Sequence, residues 1–346
     1  MRTSKATIND VARAAGVSKK TVSRVINRST LINPDTRARI ETVMAELDYQ
    51  PNLQARALAL RRNFLIGLLH DNPNAQTVLN AQHGILEAIR DTEFALVVRP
   101  VDRRSPHMLD DVRLFLEQQR LYGLVFLPPI CENDDLARLC VQQNCHYVRM
   151  GSAMLDDPAH MVASNDREAV FEAVGHLIAQ GHSRIGLVRG PAGFRSAAER
   201  EAGFLDALGR AGLTIPKSLI VEGTYRFESG LVAGERLLEH APRPTAIFSS
   251  NDEMAAGVLH AARQRGLRVP EDVSIIGFDD GAIAAHIWPP LTTVRWPVVS
   301  MARAAALKII GDDAAAGTET STFTSTLIKR GSVAPPPLDP ARIRTL

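Results

Sequence analysis

The chain has 346 residues, 45% of them apolar, with 40 basic and 38 acidic side chains. That length supports two or three domains with proper cores. No apolar run approaches the ~20 residues of a membrane-spanning helix, so none is expected. The near-neutral total hides an asymmetry. Residues 1–62 carry 12 basic against 5 acidic side chains, a net +7, which leaves −5 for the remaining 284. A basic head on a mildly acidic body suits a polyanionic partner for the head alone, the other reading being a solvated basic tail. The opening MRTSKATIND lacks the apolar core of a signal peptide. Cys131, Cys140 and Cys145 are odd in number and without metal-ligand spacing, which points to a reduced interior rather than a disulfide framework. A cytoplasmic protein with no bound metal or cofactor is expected.

The first predicted elements lie in TINDVARAAGVSKKTVSRVIN, residues 7–27. Val11, Ala12 and Ala15 form an apolar stripe that Gly16 ends, as a tight turn between helices requires. Ser18 is a suitable cap for a second helix, because its hydroxyl satisfies a free backbone N–H. Val22, Val25 and Ile26 then face inward, leaving Lys19, Lys20, Ser23 and Arg24 pointing out. A third helix starts at NPDTRARIETVMAEL, with Asn33 as cap, Pro34 in the first turn, and Ile40, Val43, Met44 and Leu47 as its buried stripe. Three short helices in this order make a small all-α helix-turn-helix head whose second helix suits the major groove. The next segment, NLQARALALRR, is helix-prone but too short to be stable alone, and so folds best where binding orders it.

From Phe64 the pattern changes. Apolar runs such as FLIGLL, FALVV, GLVFL, RIGLV, TAIFS and VSIIGF alternate with helical stretches, the mark of parallel sheets covered on both faces. The strands are too many for one such sheet and a second series begins at Ser164, so the body is α/β with two doubly wound lobes and a cleft between them. Such lobes bind ligands at the carboxyl ends of their strands. The loops expected there carry His70, Asp71 and Asn72; Arg195, Ser196 and Arg200; Asn251 and Asp252; Asp279 and Asp280. A guanidinium, an amide and a carboxylate can grip adjacent sugar hydroxyls while an aromatic face covers the C–H surface. Other readings stay open. Asp279 is also a candidate cap, Asp252 is read as a helix cap, Arg195 and Arg200 can pair with Glu199 and Glu201, and His70, Asp71 and Arg149 are equally suited to structural roles.

DVARAAGVSKKTVSRVIN followed by YQPNLQARALA resembles the head of the LacI/GalR family of bacterial transcription regulators, and the body loops resemble its ligand domain, of periplasmic binding protein type I. The resemblance implies DNA contacts by Thr7, Ser18, Lys19, Lys20, Thr21, Ser23, Arg24 and Asn27, with Lys19 and Lys20 choosing the half-site. A lysine donates to guanine O6 and N7. It further implies a hinge helix in the minor groove, with Asn52 and Ala55 at the DNA and Leu58 wedging a base step, plain helical packing being the other reading of Leu58. Arg200, Asn251 and Asp279, with Tyr225 and Ser196, match the family's ligand positions. Gly151, in VRMGS, stands where many relatives carry an aspartate, so no particular member's ligand transfers. WPPLTTVRWP, residues 288–297, matches the return toward the first lobe, with the following helix seated there.

The implied organisation is a DNA-binding domain at 1–50, a hinge at 51–62, a first lobe at 63–163 plus 295–323, a second at 164–294 plus 324–336, and a tail at 337–346. Three crossings between lobes make a hinge whose angle a ligand can set. No heptad-bearing tail is seen, so a homodimer on a palindromic operator is expected. An enzyme reading finds no Walker, HExxH, GxSxG or GxGxxG signature, and a secreted solute-binding protein is opposed by the basic head. The expectation is a cytoplasmic, nucleoid-associated repressor governed by a sugar or sugar derivative.

Overall fold

A computed structural model describes residues 6–26, 31–49, 63–311 and 322–337, in two units, Met1–Phe64 and Leu65–Leu346. In the first, α1 (Ile8–Ala14), α2 (Lys19–Ile26) and α3 (Pro34–Glu46) form a small helical body. Thr7 and Asp10 close a capping box on α1, the Thr7 amide donating to Asp10 Oδ2 at 3.0 Å. Gly16 turns the chain at φ +63°, a left-handed conformation that a Cβ disfavours. Val11, Ala12, Ala15, Val22, Val25 and Ile40 make the core, with Ile26, Val43 and Met44 packed against it. Leu47 departs from the expected stripe. It follows the end of α3 and is 37% exposed, because the chain has already left the helical face that Ile40 defines.

The second unit runs β1 (Leu65–His70), α4 (Ala75–Ile89), β2 (Ala95–Pro100), α5 (Met108–Gln119), β3 (Gly123–Phe126), α6 (Asp134–Gln142), β4 (His146–Gly151) and β5 (Met161–Ser164). A second series follows: α7 (Asp166–Ala179), β6 (Ile185–Arg189), α8 (Arg195–Arg210), β7 (Ile220–Glu222), α9 (Phe227–Leu238), β8 (Ala246–Ser249), α10 (Asp252–Gln264), β9 (Ser274–Asp279), α11 (Ala282–His286) and β10 (Thr292–Arg295). It closes with α12 (Val298–Ile310), β11 (Thr322–Phe323) and β12 (Thr326–Ile328). The strands form two sheets, ordered β11-β5-β4-β3-β1-β2 and β12-β10-β9-β8-β6-β7. All pairings are parallel except β10 with β12. β3, β5 and β8 are buried at every residue, as strands covered on both faces must be.

Ser164 ends β5 and Arg295 ends β10, so the chain leaves the first sheet after 164 and the second after 295. It crosses a third time between β11 and β12. α12 packs on α4 and against β3, β4 and β5. The close approach depends on Gly84, where a Cβ would stand 2.1 Å from the Val299 carbonyl oxygen and 3.0 Å from Ala302 Cβ. In each sheet the strand order reverses beside the first strand, between β1 and β3 and between β6 and β8. The loops leaving those strands diverge and open a crevice, the usual place for a ligand in such folds.

Candidate functional site

In the head, α2 carries Lys19 and Lys20 in its first turn and Arg24 in its last. Lys19, Lys20 and Arg24 are exposed, while Thr21 and Ser23 are half-buried. The Ser18 hydroxyl accepts from the Thr21 amide at 3.1 Å and lies 2.8 Å from the Thr21 hydroxyl, so both side chains help to start the helix. Thr7 is likewise committed to its capping box with Asp10, whose carboxyl is held below its usual range by the Thr7 hydrogen bonds. The first turn of α2 contains no acid. Two lysines at the positive end of a helix dipole oppose folding, and an anion placed there offsets that repulsion while meeting free backbone N–H groups. Asn27, Asn52, Ala55 and Leu58 lie outside the described residues.

In the larger unit, a cleft of about 480 Å³ of empty space, partly open to solvent, lies at the crevice. The first lobe supplies Asn72, Asn74 and Thr77 after β1, Pro128 and Pro129 after β3, and Ser152 after β4. The second supplies Phe194, Ser196 and Arg200 around the start of α8, Tyr225 after β7, Asn251 after β8 and Asp279 at the end of β9. Asp166 and Trp296, at two of the lobe crossings, complete it. The fold therefore brings together Ser196 and Arg200 on α8, Tyr225 and Asn251 in two loops, and Asp279 at the end of β9.

Arg200 is the centre of the site and is 5% exposed. Its Nε donates to Asp166 Oδ2 at 2.9 Å and its Nη1 to the Ser250 carbonyl at 2.6 Å, with Asp279 Oδ1 3.9 Å away. Its guanidinium also stacks 3.6 Å from the centre of the Phe278 ring, a cation–π contact strengthened by desolvation. Burial works against its charge, but Asp166, Tyr225 and Asp279 outweigh that and hold the guanidinium firmly protonated. Asp166 accepts in addition from Ser164 Oγ at 2.6 Å, and Ser164 Oγ accepts from Trp296 Nε1 at 3.0 Å. A buried relay thus joins the cleft's cation to two crossing strands.

Asp279 sits at φ +110°, a strained backbone of the kind found at ligand sites. Burial pushes its carboxyl up to about 7 against the opposing pull of Arg200. Asn74 caps α4 with its oxygen and reaches across the cleft with Nδ2 to Asp279 Oδ2 at 3.4 Å. At the rim, Glu132 Oε1 of the first lobe accepts from the Arg195 amide at 2.8 Å, and the Arg103 guanidinium lies 4.0 Å over the Phe194 ring. The Ser196 hydroxyl is 3.3 Å from that of Tyr225. Asn251 donates one amide N–H to the Tyr225 carbonyl at 2.9 Å and accepts with its oxygen from the Met254 amide at 3.0 Å, leaving one N–H and one lone pair. Ser152 Oγ is buried without a hydrogen-bond partner among the described residues.

Other candidates lie elsewhere. His70 and Asp71 do not line the cleft, because β1 ends short of it and the following loop turns Asn72 and Asn74 inward instead. Burial lowers the His70 pKa, and Asp71 pairs with Arg103 at 3.5 Å. Arg149 is a structural ion-pair centre, 2.8 Å from Asp134 and 2.9 Å from Asp156. Arg195 pairs with Glu199 at 2.9 Å. Asp252 ties Thr293 Oγ1 at 2.5 Å and the Gly281 amide at 2.8 Å, the helix cap being Asn251. Asp280 binds Arg295 and Arg330. Sequence reasoning missed Asp166, Asn74 and Trp296. The two polar residues sit at helix starts, where a capping role hid them.

Residues 7–52 match the family model "Bacterial regulatory proteins, lacI family", and residues 174–333 match "Periplasmic binding protein-like domain". The ribose operon repressor of Escherichia coli (strain K12) is 34% identical over 294 residues, covering 84% of this chain and 88% of that protein. Among solved structures, the regulator CelR in complex with cellobiose aligns at 29% identity and TM-score 0.71, covering 94% of this chain and 99% of that one. The lac repressor dimer bound to operator and the anti-inducer ONPF aligns at 28% identity and TM-score 0.74, covering 96% and 100%. Among the described residues no helix is long and apolar enough to cross a membrane. The chain belongs to the LacI family of bacterial regulatory proteins, as a DNA-binding repressor with a ligand-binding sensor domain.

Proposed function

We propose that two copies of the chain bind a palindromic operator in the cytoplasm, at the nucleoid, and that a sugar held between the lobes sets the operator affinity. Lys19 and Lys20 read base edges of each half-site, while Ser18, Thr21, Ser23, Arg24, Thr7 and Asn27 place the head on the backbone. Asn52, Ala55 and Leu58 act at the operator centre. Arg200, Asp279, Asn251, Ser196 and Tyr225 hold the sugar. Residues 63–163 with 295–323 and 164–294 with 324–336 move as the two lobes. The observation that carries this reading is the buried Arg200 in a cleft whose walls come from both lobes. A ligand touching both walls favours one lobe arrangement, and linkage transfers that preference to DNA.

The test is selection of duplexes from a random library, then anisotropy of the labelled winner against salt and sugars. A repressor of this kind selects a palindrome and shows a steep salt slope from counterion release. Lys19→Ala and Lys20→Ala change the selected half-site, and Arg200→Ala retains DNA binding but loses the sugar response. No preference over random duplex, or an Arg200→Ala protein that responds normally, overturns the assignment.

A further inference from the structure

Resting on the reading of the cleft as the effector site, we infer that the effector is an uncharged polyol and that the cleft is built to reject sugar acids, sugar phosphates and amino sugars. The charge inventory of the walls carries this. Among the lining residues the only cation is Arg200, and the only acids are Asp166 and Asp279. The charge of Arg200 is already matched, although three of its five N–H groups stay available to neutral oxygens. Asp166 holds its Nε at 2.9 Å, the Ser250 carbonyl holds its Nη1 at 2.6 Å, and Asp279 stands 3.9 Å away. One guanidinium faces two carboxylates, so the local sum is zero with Asp279 protonated and −1 with it ionised. An anionic ligand meets no unmatched positive charge and must be desolvated beside Asp166, at a cost of the kind that makes like charges reject one another.

A cationic ligand finds only Asp279 within reach, and there its ammonium stands beside the Arg200 guanidinium, 3.9 Å from that carboxylate. Arg200 is buried and held by Asp166 and the Ser250 carbonyl, so it does not swing out to let an ammonium reach Asp166. What the walls do offer is neutral and directional. The Ser152 hydroxyl has no partner among the described residues, the Ser196 and Tyr225 hydroxyls meet loosely at 3.3 Å, and the Asn74 amide reaches Asp279 at a long 3.4 Å. Each can trade a weak or absent contact for a ligand hydroxyl. Phe194 and Trp296 add apolar faces for C–H surface.

The experiment uses the full chain at pH 7.5 and charge-matched sets, read by calorimetric titration and by thermal shift. The sets are glucose with glucuronate, glucose 6-phosphate and glucosamine; galactose with galacturonate; ribose with ribose 5-phosphate; cellobiose with cellobionate. In the set that binds, the neutral member binds at least about 100-fold more tightly than its charged partners. Asp166→Asn, which removes one carboxylate from the inventory, narrows that gap toward the acid by about tenfold or more. A carboxylate, phosphate or ammonium member binding as well as its neutral partner overturns the inference while leaving the cleft as the effector site. No binding by any member overturns the reading of the cleft as a sugar site, and this inference with it.

Discussion

Asp166→Asn is the most informative single change in the sensor unit. The Asp166 side chain is 1% exposed and that of Arg200 6%, at 2.9 Å. At an effective dielectric of ~20 a pair at this distance attracts by about 6 kcal/mol, and one at the 3.9 Å of Asp279 by about 4 kcal/mol. Removing the Asp166 charge also removes a repulsion on Asp279, which then ionises and replaces it at longer range. The net difference, with a hydrogen bond weakened from charged to neutral, comes to roughly 2–3 kcal/mol. For a unit of this size that lowers the melting temperature by about 3–5 °C. The assay is thermal unfolding by circular dichroism at several pH values. In the wild type, the raised Asp279 pKa means the folded state holds a proton that the unfolded chain has lost, so this group's contribution makes stability fall as pH rises from about 4 to about 7. In the variant that slope is flattened, because Asp279 is already ionised. A variant that melts within 2 °C of wild type with the same slope would refute the dependence of Arg200 on Asp166.

Effector affinity should carry the same titration. A neutral sugar donating a hydroxyl to the Asp279 carboxylate binds more weakly as pH falls below about 7, approaching tenfold per pH unit. Arg200, Asp166, Asn74, Glu253 and the nearby Asp252 are the groups facing Asp279; calorimetry from pH 5.5 to 8 that shows tighter binding in acid would contradict the donor geometry. In the helix pair beneath the first lobe, Gly84→Val places a methine carbon against the Val299 carbonyl and should destabilise by about 1–3 kcal/mol or more, as overpacking does. Gly175→Ala in α7, where a Cβ meets nothing within 4 Å, should instead stabilise by ~0.5–1 kcal/mol. Urea titrations of the two variants check both signs, and equal effects would show that the α4–α12 crossing is not set by Gly84.

The head was readable almost residue by residue because its signals are local. A capping hydroxyl, a turn glycine and a 3.6-residue apolar stripe act within a few positions of one another, and Thr7, Gly16, Ser18 and Asn33 stand where that local chemistry puts them. The alternation of strands and helices in the body is local in the same sense, so the two sheets could be anticipated. The composition of the cleft is not local. Asp166 meets Arg200 across 34 positions and Trp296 meets Ser164 across 132, and those meetings exist only once sheet order has placed the loops and burial has made unpaired charges costly. The same desolvation turned Arg149 to its own aspartates and left His70 and Asp71 aside. Periodicity along the chain thus tells which segments are helix, strand or turn, whereas which polar groups share one dry crevice is settled by the crossing of the lobes.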